Sequence, residues 1–216
     1  MPVQIFILNL FELCACITGF LYYIKLKDSY WKYFPFYLFS IFLTEVLAEW
    51  KLLVQENLKV NIAIYKYWAI PVQFLFFFWL FSRQHRNTKP KVLPFIFSSL
   101  YLIAVMIENF WPINLKPIFD SMSYSFGCVL LLILIIIFLK QFISSDEILE
   151  FKTNMMFWVV IGLLLFYIGT LPFWGLRSSL YYHYRSIFNV YNQVQFALNY
   201  CMYLMFIFAF IWGKPK

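Results

Sequence analysis

The stretch SMSYSFGCVLLLILIIIFLKQFI, residues 121–143, carries a single charged side chain, Lys140, in 23 positions. A helix of that length rises about 34 Å at ~1.5 Å per residue, enough to cross the ~30 Å hydrocarbon core of a bilayer. Inside that medium every backbone N–H and C=O must find its partner within the chain, which leaves helices or closed barrels. Working outward, six more apolar stretches follow the same pattern: Val3–Lys25, Trp31–Leu53, Asn61–Ser82, Val92–Phe110, Thr153–Gly175 and Ile187–Gly213. The expected fold is therefore all-α, a polytopic membrane protein built as a seven-transmembrane-helix bundle. The segments between the stretches are short, so residues 1–216 read as one integral membrane domain.

Composition excludes the soluble alternatives. Hydrophobic residues make up 63% of the 216 and charged residues 12%, too few charges to cover the surface of a water-soluble globule. Aromatic residues reach 24%, more than belts at the two membrane interfaces require. The codon usage of an AT-rich genome accounts for the excess without a cofactor cage. The first stretch begins at Val3 with no basic segment before it and no small-residue cleavage site, so it is expected to be a retained helix. Cys14, Cys16, Cys128 and Cys201 all fall inside apolar stretches, where thiols act as small hydrophobes. No disulfide framework and no metal site are expected.

Basic residues near the ends of spans favour the cytoplasm. One set of alternate connections holds Lys25, Lys27, Lys32, Arg83, Arg86, Lys89, Lys91, Lys140, Lys152, Lys214 and Lys216, eleven of the 17 Lys and Arg. The other side holds Lys51, Lys59, Lys66, Lys116, Arg177 and Arg185. The N-terminus is thus expected outside and the C-terminus cytoplasmic, in a bacterial cytoplasmic (inner) membrane. The net charge of +7 sits mainly on the inner rim, where anionic membrane lipids are the natural partners and no basic face is free for nucleic acid. Displacing the chain by 122 residues superimposes spans 1–3 on spans 5–7 and Val72-Gln73-Phe74 on Val194-Gln195-Phe196. Parallel repeats of this kind occur in small transporters, although seven evenly spaced helices overlay in this way without a true repeat.

Polar side chains inside hydrocarbon cost several kcal/mol unless paired, so each needs an account. Glu12 and Glu45 come out at similar depth, roughly 12–14 Å below the outer boundary at ~1.5 Å per residue. Gln73 sits slightly deeper in the third span. Asn189, Asn192, Gln195 and Asn199 share one face of the seventh, and Tyr167 and Thr170 lie in the outer half of the sixth. These residues define a polar chamber in the outer half of the bundle, open to the external side. Its expected ligand-binding residues are Glu12, Glu45, Gln73, Tyr167, Asn192, Gln195 and Asn199, with Lys66, Arg177 and Arg185 as counter-charges near the mouth. Interhelical hydrogen bonding that sets register is the competing account, and for the amides of the seventh span the two stand level. Glu49 reads as an interfacial residue beside Trp50 and Lys51. The aromatic and cationic segment Arg177–Arg185 reads as an outer loop that caps the chamber, docks a partner, or lies at the headgroups. Glu108–Pro117 reads as an ordinary proline-shaped loop. Pro71 frees the carbonyl of Tyr67 and predicts a kink beside Gln73; Pro172 frees that of Ile168.

With two histidines, both in connections, neither a histidine-ligated haem nor a polyhistidine metal site is available. No lysine in the seventh span offers a retinal Schiff base, and no G-x-S-x-G, H-E-x-x-H or Walker sequence occurs. No cofactor and no catalytic activity are expected. The expected role is binding of a small or lipid-like ligand, as a transporter or a sensor. The rival role is a non-catalytic subunit or scaffold of a larger complex with other membrane or periplasmic subunits.

Overall fold

The computed structural model of the chain describes residues 3–55, 63–84, 92–110 and 122–215. The described residues are helical throughout apart from turns, and no strand occurs among them. The long helices are α1 (Val3–Leu21), α2 (Tyr33–Gln55), α3 (Ile70–Gln84), α4 (Leu93–Phe110), α5 (Met122–Ile143), α6 (Met155–His183) and α7 (Arg185–Trp212). Five of them hold a segment long and apolar enough to cross a membrane: Val3–Leu21, Leu93–Phe110, Met122–Ile143, Met155–Arg177 and Arg185–Trp212. Large apolar side chains such as Phe95, Ile103, Met106 and Ile136 are exposed on these helices, a surface suited to lipid and not to water.

Neighbouring helices form a closed circuit. Packing joins α1 to α2, α3 to α4, α4 to α5, α5 to α6, α6 to α7, and α7 back to α1. The α2–α3 step is made by rings, with Tyr37 stacked on Phe76 at 4.1 Å and Phe34 on Phe76 at 5.8 Å. α1 and α7 run parallel: Phe11 stacks on Tyr200, while further along Lys25 Nζ donates to the carbonyls of Phe210 (3.1 Å) and Ile211. A cation at that helix end satisfies carbonyls that have no partner within the helix. At the same end the Tyr30 hydroxyl donates to Gln84, and the Lys214 N–H donates to the Thr153 carbonyl at 2.7 Å. This end carries Lys25, Lys27, Lys32, Arg83, Lys152 and Lys214 and is the basic end of the bundle.

Several boundaries differ from the sequence expectation, each for a local reason. The first stretch breaks at Tyr22, whose backbone (φ −91°, ψ 11°) separates α1 from one further turn, Tyr23–Leu26. Ser29 then accepts from the Trp31 N–H and starts a 3-10 turn before α2. Upstream of Pro71 the chain forms a π turn, Tyr65–Ala69, in which the Ile70 N–H reaches the Tyr65 carbonyl. Proline crowds the carbonyl four residues earlier, and widening the turn relieves that contact without a break.

The largest departure concerns the aromatic segment Arg177–Arg185, which is not a loop. α6 runs on through Pro172 to His183, and the turn into α7 is made at Tyr184 alone (φ −135°, ψ 59°). Stacking across the hairpin extends the helix pair: Phe173 lies flat on Tyr191 at 5.8 Å, and Tyr181 meets Phe188 edge-on. Asn154 caps the start of α6 by accepting from the Phe157 N–H at 3.1 Å. Gly213 closes the far end, where a β-carbon would meet the Ala209 carbonyl oxygen at 2.4 Å and Met155 Cα at 2.6 Å. Only glycine admits so close an approach. The segment Glu108–Pro117 lies outside the described residues beyond Phe110. Glu108 itself is buried and does more than shape a loop. Its carboxylate accepts from the N–H groups of Met122 (3.1 Å) and Ser123 (2.8 Å), capping α5 across the helix–helix contact.

Candidate functional site

Three carboxyl groups converge from α1 and α2. Glu12 is 3% exposed, and the charged groups acting on it are Glu45 and Glu49. Glu45 is half-buried and accepts a hydrogen bond from the Tyr65 hydroxyl of the π turn. Glu49 accepts from Asn9 Nδ2 at 3.0 Å. The Tyr203 hydroxyl of α7 lies within hydrogen-bonding reach of Glu12. The helix periods explain the convergence. Asn9 and Glu12 are three residues apart on α1, and Glu45 and Glu49 four apart on α2, so each pair shares a face. Antiparallel packing of α1 on α2 then turns the two faces together. The π turn ahead of Pro71 brings Tyr65 to the same place.

This cluster leaves acceptors over. Asn9 Oδ1, Glu12 Oε2 and Glu49 Oε1 are sealed from solvent and have no hydrogen-bond partner among the described residues. A buried acceptor without a donor costs about 1–3 kcal/mol, more when charged. Among the described residues no three His, Cys, Asp or Glu side chains are grouped closely enough to hold a metal ion.

A second polar group occupies the other side of the bundle and contains no carboxylate partner. Gln73 Nε2 donates to the Tyr167 hydroxyl at 2.8 Å. Tyr124 lies within hydrogen-bonding reach of Thr170 and Cys128, and Thr170 also donates to the Phe166 carbonyl at 2.8 Å. Phe74, fully buried, touches Tyr101, Tyr124 and Tyr167 and presses on Gly127. Tyr37 stands between the two groups, within electrostatic reach of Glu12, Tyr203 and Tyr167.

The expected site residues thus divide. Glu12 and Glu45 come together as expected, and Glu49 joins them; it is not merely an interfacial side chain. Gln73 and Tyr167 pair with each other in the second group. Asn199 donates to the Gln195 carbonyl of its own helix at 3.1 Å, Asn192 is half-buried, and Asn189 is exposed. The proposed counter-charges engage rings: Arg177 lies 4.3 Å from the Trp174 ring centre, Arg185 4.1 Å from Tyr181, and Lys66 5.5 Å from Tyr67. Guanidinium over an aromatic face is a favourable pairing that needs no carboxylate.

Sequence reasoning missed Asn9, Tyr37, Tyr65, Tyr124 and Tyr203. Of the tyrosines within the spans only Tyr167 was drawn into the polar layer, yet Tyr37, Tyr124 and Tyr203 are also buried among helices. The available signal was their depth: a phenol in mid-span needs a partner as much as an amide does.

No protein-family model, no curated protein and no solved structure matches this chain.

Proposed function

We propose that the chain is a seven-span integral membrane protein with its N-terminus outside and its basic end in the cytoplasm. In this reading α2 and the helix containing α3 join the five apolar spans to make seven, and the Glu12–Glu45–Glu49 cluster forms a polar chamber on the outer side, closed to solvent in this conformation and opening outward to admit its ligand. The chamber binds a small or lipid-like ligand, and the protein acts as a transporter or a sensor, without catalysis of its own. One observation carries the reading: Glu12 is buried in the bundle with an oxygen that nothing described satisfies. A side chain kept only to join helices would be paired, because an unpaired carboxyl in the membrane is costly. The concentration of basic residues at the opposite end supports the orientation.

Labelling from outside intact cells tests this. In a chain with Cys14 and Cys201 replaced by alanine, an impermeant thiol reagent should modify Asn9→Cys directly. Lys27→Cys should react only after permeabilisation. Reaction of Lys27→Cys in intact cells would reverse the orientation, and an Asn9→Cys that stays inert in both conditions would remove the chamber.

The rival reading, a non-catalytic subunit of a larger membrane complex, draws on the α6–α7 hairpin. α6 has 29 residues, about 43 Å of helix at ~1.5 Å per residue, whereas its membrane-competent segment ends at Arg177. Beyond that level Tyr182, Tyr184, Ile187 and Val190 are exposed. Purification in mild detergent separates the two: a stoichiometric partner favours the subunit, a homogeneous single species the binder.

A further inference from the structure

The tip of the α6–α7 hairpin stands higher than the described helices on either side of it. α1 and α7 run parallel in one register: Glu12 meets Tyr203, and Gly19 meets Phe210 seven residues further along both helices. Val3, where the apolar span of α1 begins, is therefore level with Val194. α7 starts nine residues earlier, at Arg185, about 13 Å beyond that level at ~1.5 Å per residue. On the other flank the Tyr124 and Trp174 rings lie 4.5 Å apart near the start of α5, and α6 continues to His183, about 10 Å beyond Met122. The headgroup layer outside the hydrocarbon is only ~5–7 Å deep, so the tip stands clear of lipid. There it exposes Tyr182 (59%), Tyr184 (57%) and Ile187 (45%). Arg185 supplies the charge. Its guanidinium lies over the Tyr181 ring at 4.1 Å and near Phe188 at 5.3 Å, and no described residue accepts a hydrogen bond from it. A guanidinium placed over a ring keeps its edge N–H groups for an acceptor, in the fork that matches a carboxylate. No Asp or Glu occurs among residues 151–216, so neither arm of the hairpin holds that carboxylate. A second copy meeting this surface face to face would set Arg177 and Arg185 against their own kind. Tyrosine and arginine are the side chains that carry binding energy at protein interfaces.

We infer that the hairpin tip, Tyr182, Tyr184, Arg185 and Ile187, docks an acidic segment of a partner protein. Arg185 pairs with a carboxylate of that segment, while the tyrosines and Ile187 cover the apolar side chains beside it. The inference rests on the subunit reading of this hairpin, to which it gives the partner's chemistry, and it does not depend on the Glu12 cluster.

The test is photocrosslinking of the full chain in its native cells, with p-benzoylphenylalanine in place of Tyr182 and, as the lipid-facing control, in place of Phe95. The probe at 182 should give a discrete protein adduct that the probe at 95 does not, and mass spectrometry should map the adduct to a segment rich in Asp or Glu. Arg185→Glu should lower the adduct yield about 10- to 100-fold, the loss expected for one charge-assisted hydrogen bond. Arg185→Lys keeps the charge without the fork and should fall between. If Arg185→Glu lowers Tm, Asn189→Glu gives the same comparison with Arg185 left on its rings: it sets a carboxylate one turn away, which competes for the guanidinium and repels an acidic partner. Adducts to lipid alone, to a second copy, or to the chain's own residues 56–62 or 111–121 would overturn the inference. So would an adduct on a segment without acids, a yield unchanged in both glutamate variants, or no adduct at all. A stoichiometric partner in mild detergent without an adduct at 182 would leave the subunit reading standing and remove only this docking surface; neither partner nor adduct would remove both.

Discussion

The two sides of this bundle solve the same problem differently. On the α3–α6 side, polar groups are neutral and find each other: Gln73 with Tyr167, Tyr124 with Thr170 and Cys128, around a fully buried Phe74. On the α1–α2–α7 side, three carboxyls are set against one another and three acceptors have no partner among the described residues. The first arrangement stabilises the fold, whereas the second destabilises it. Proteins tolerate such local cost mainly where function requires it, and on the proposed function the contrast is one between scaffold and site.

That contrast makes predictions of decreasing size, all measurable by thermal or denaturant unfolding in detergent. Phe74→Ala should destabilise by about 3–5 kcal/mol, because it empties the centre of the neutral side and removes ring contacts to three tyrosines. A loss under 1 kcal/mol would mean that this side is not the scaffold. Glu12→Gln should do the reverse, holding stability constant or raising it by about 0.5–2 kcal/mol by easing repulsion within the acid cluster. Marked destabilisation by Glu12→Gln would make the carboxylate a structural group and erase the distinction. Tyr167→Phe should cost about 0.6–1 kcal/mol, the usual worth of one interhelical hydrogen bond in a membrane bundle, through the lost bond to Gln73. Tyr101→Phe sharpens the comparison at its weakest point. The Tyr101 hydroxyl is the one fully buried tyrosine oxygen of that side with no described partner, so its removal should change stability by less than about 0.5 kcal/mol.

The same contrast shows what a linear reading reaches. Glu12 and Glu45 stood out because charge in hydrocarbon is conspicuous at any depth, and their similar distance from the outer helix ends placed them in one layer. The seventh-span amides were equally conspicuous, yet Asn199 bonds its own helix and Asn189 faces outward. A one-sided spacing says which residues share a face and not what lies opposite. Tyr203 escaped for the converse reason: its ring makes it look like one more apolar residue, and only the approach of α1 to α7 gives its hydroxyl a carboxyl to meet. Arg177–Arg185 was misread because its charges and tyrosines resemble a loop, whereas ring stacking across the α6–α7 hairpin supplies what sustains the helix.

The sequence by itself determined the helical class, the bilayer as solvent, and which end of the bundle is basic. These follow from the length and apolarity of each stretch and from where charge is allowed, both local properties of the chain. Which helices adjoin, that Asn9 meets Glu49, that Tyr65 reaches Glu45 through a π turn, and that three acceptors have no donor among the described residues were decided only by the tertiary structure. Those facts depend on rotation and approach of helices distant in sequence, set by side-chain packing that no single stretch encodes.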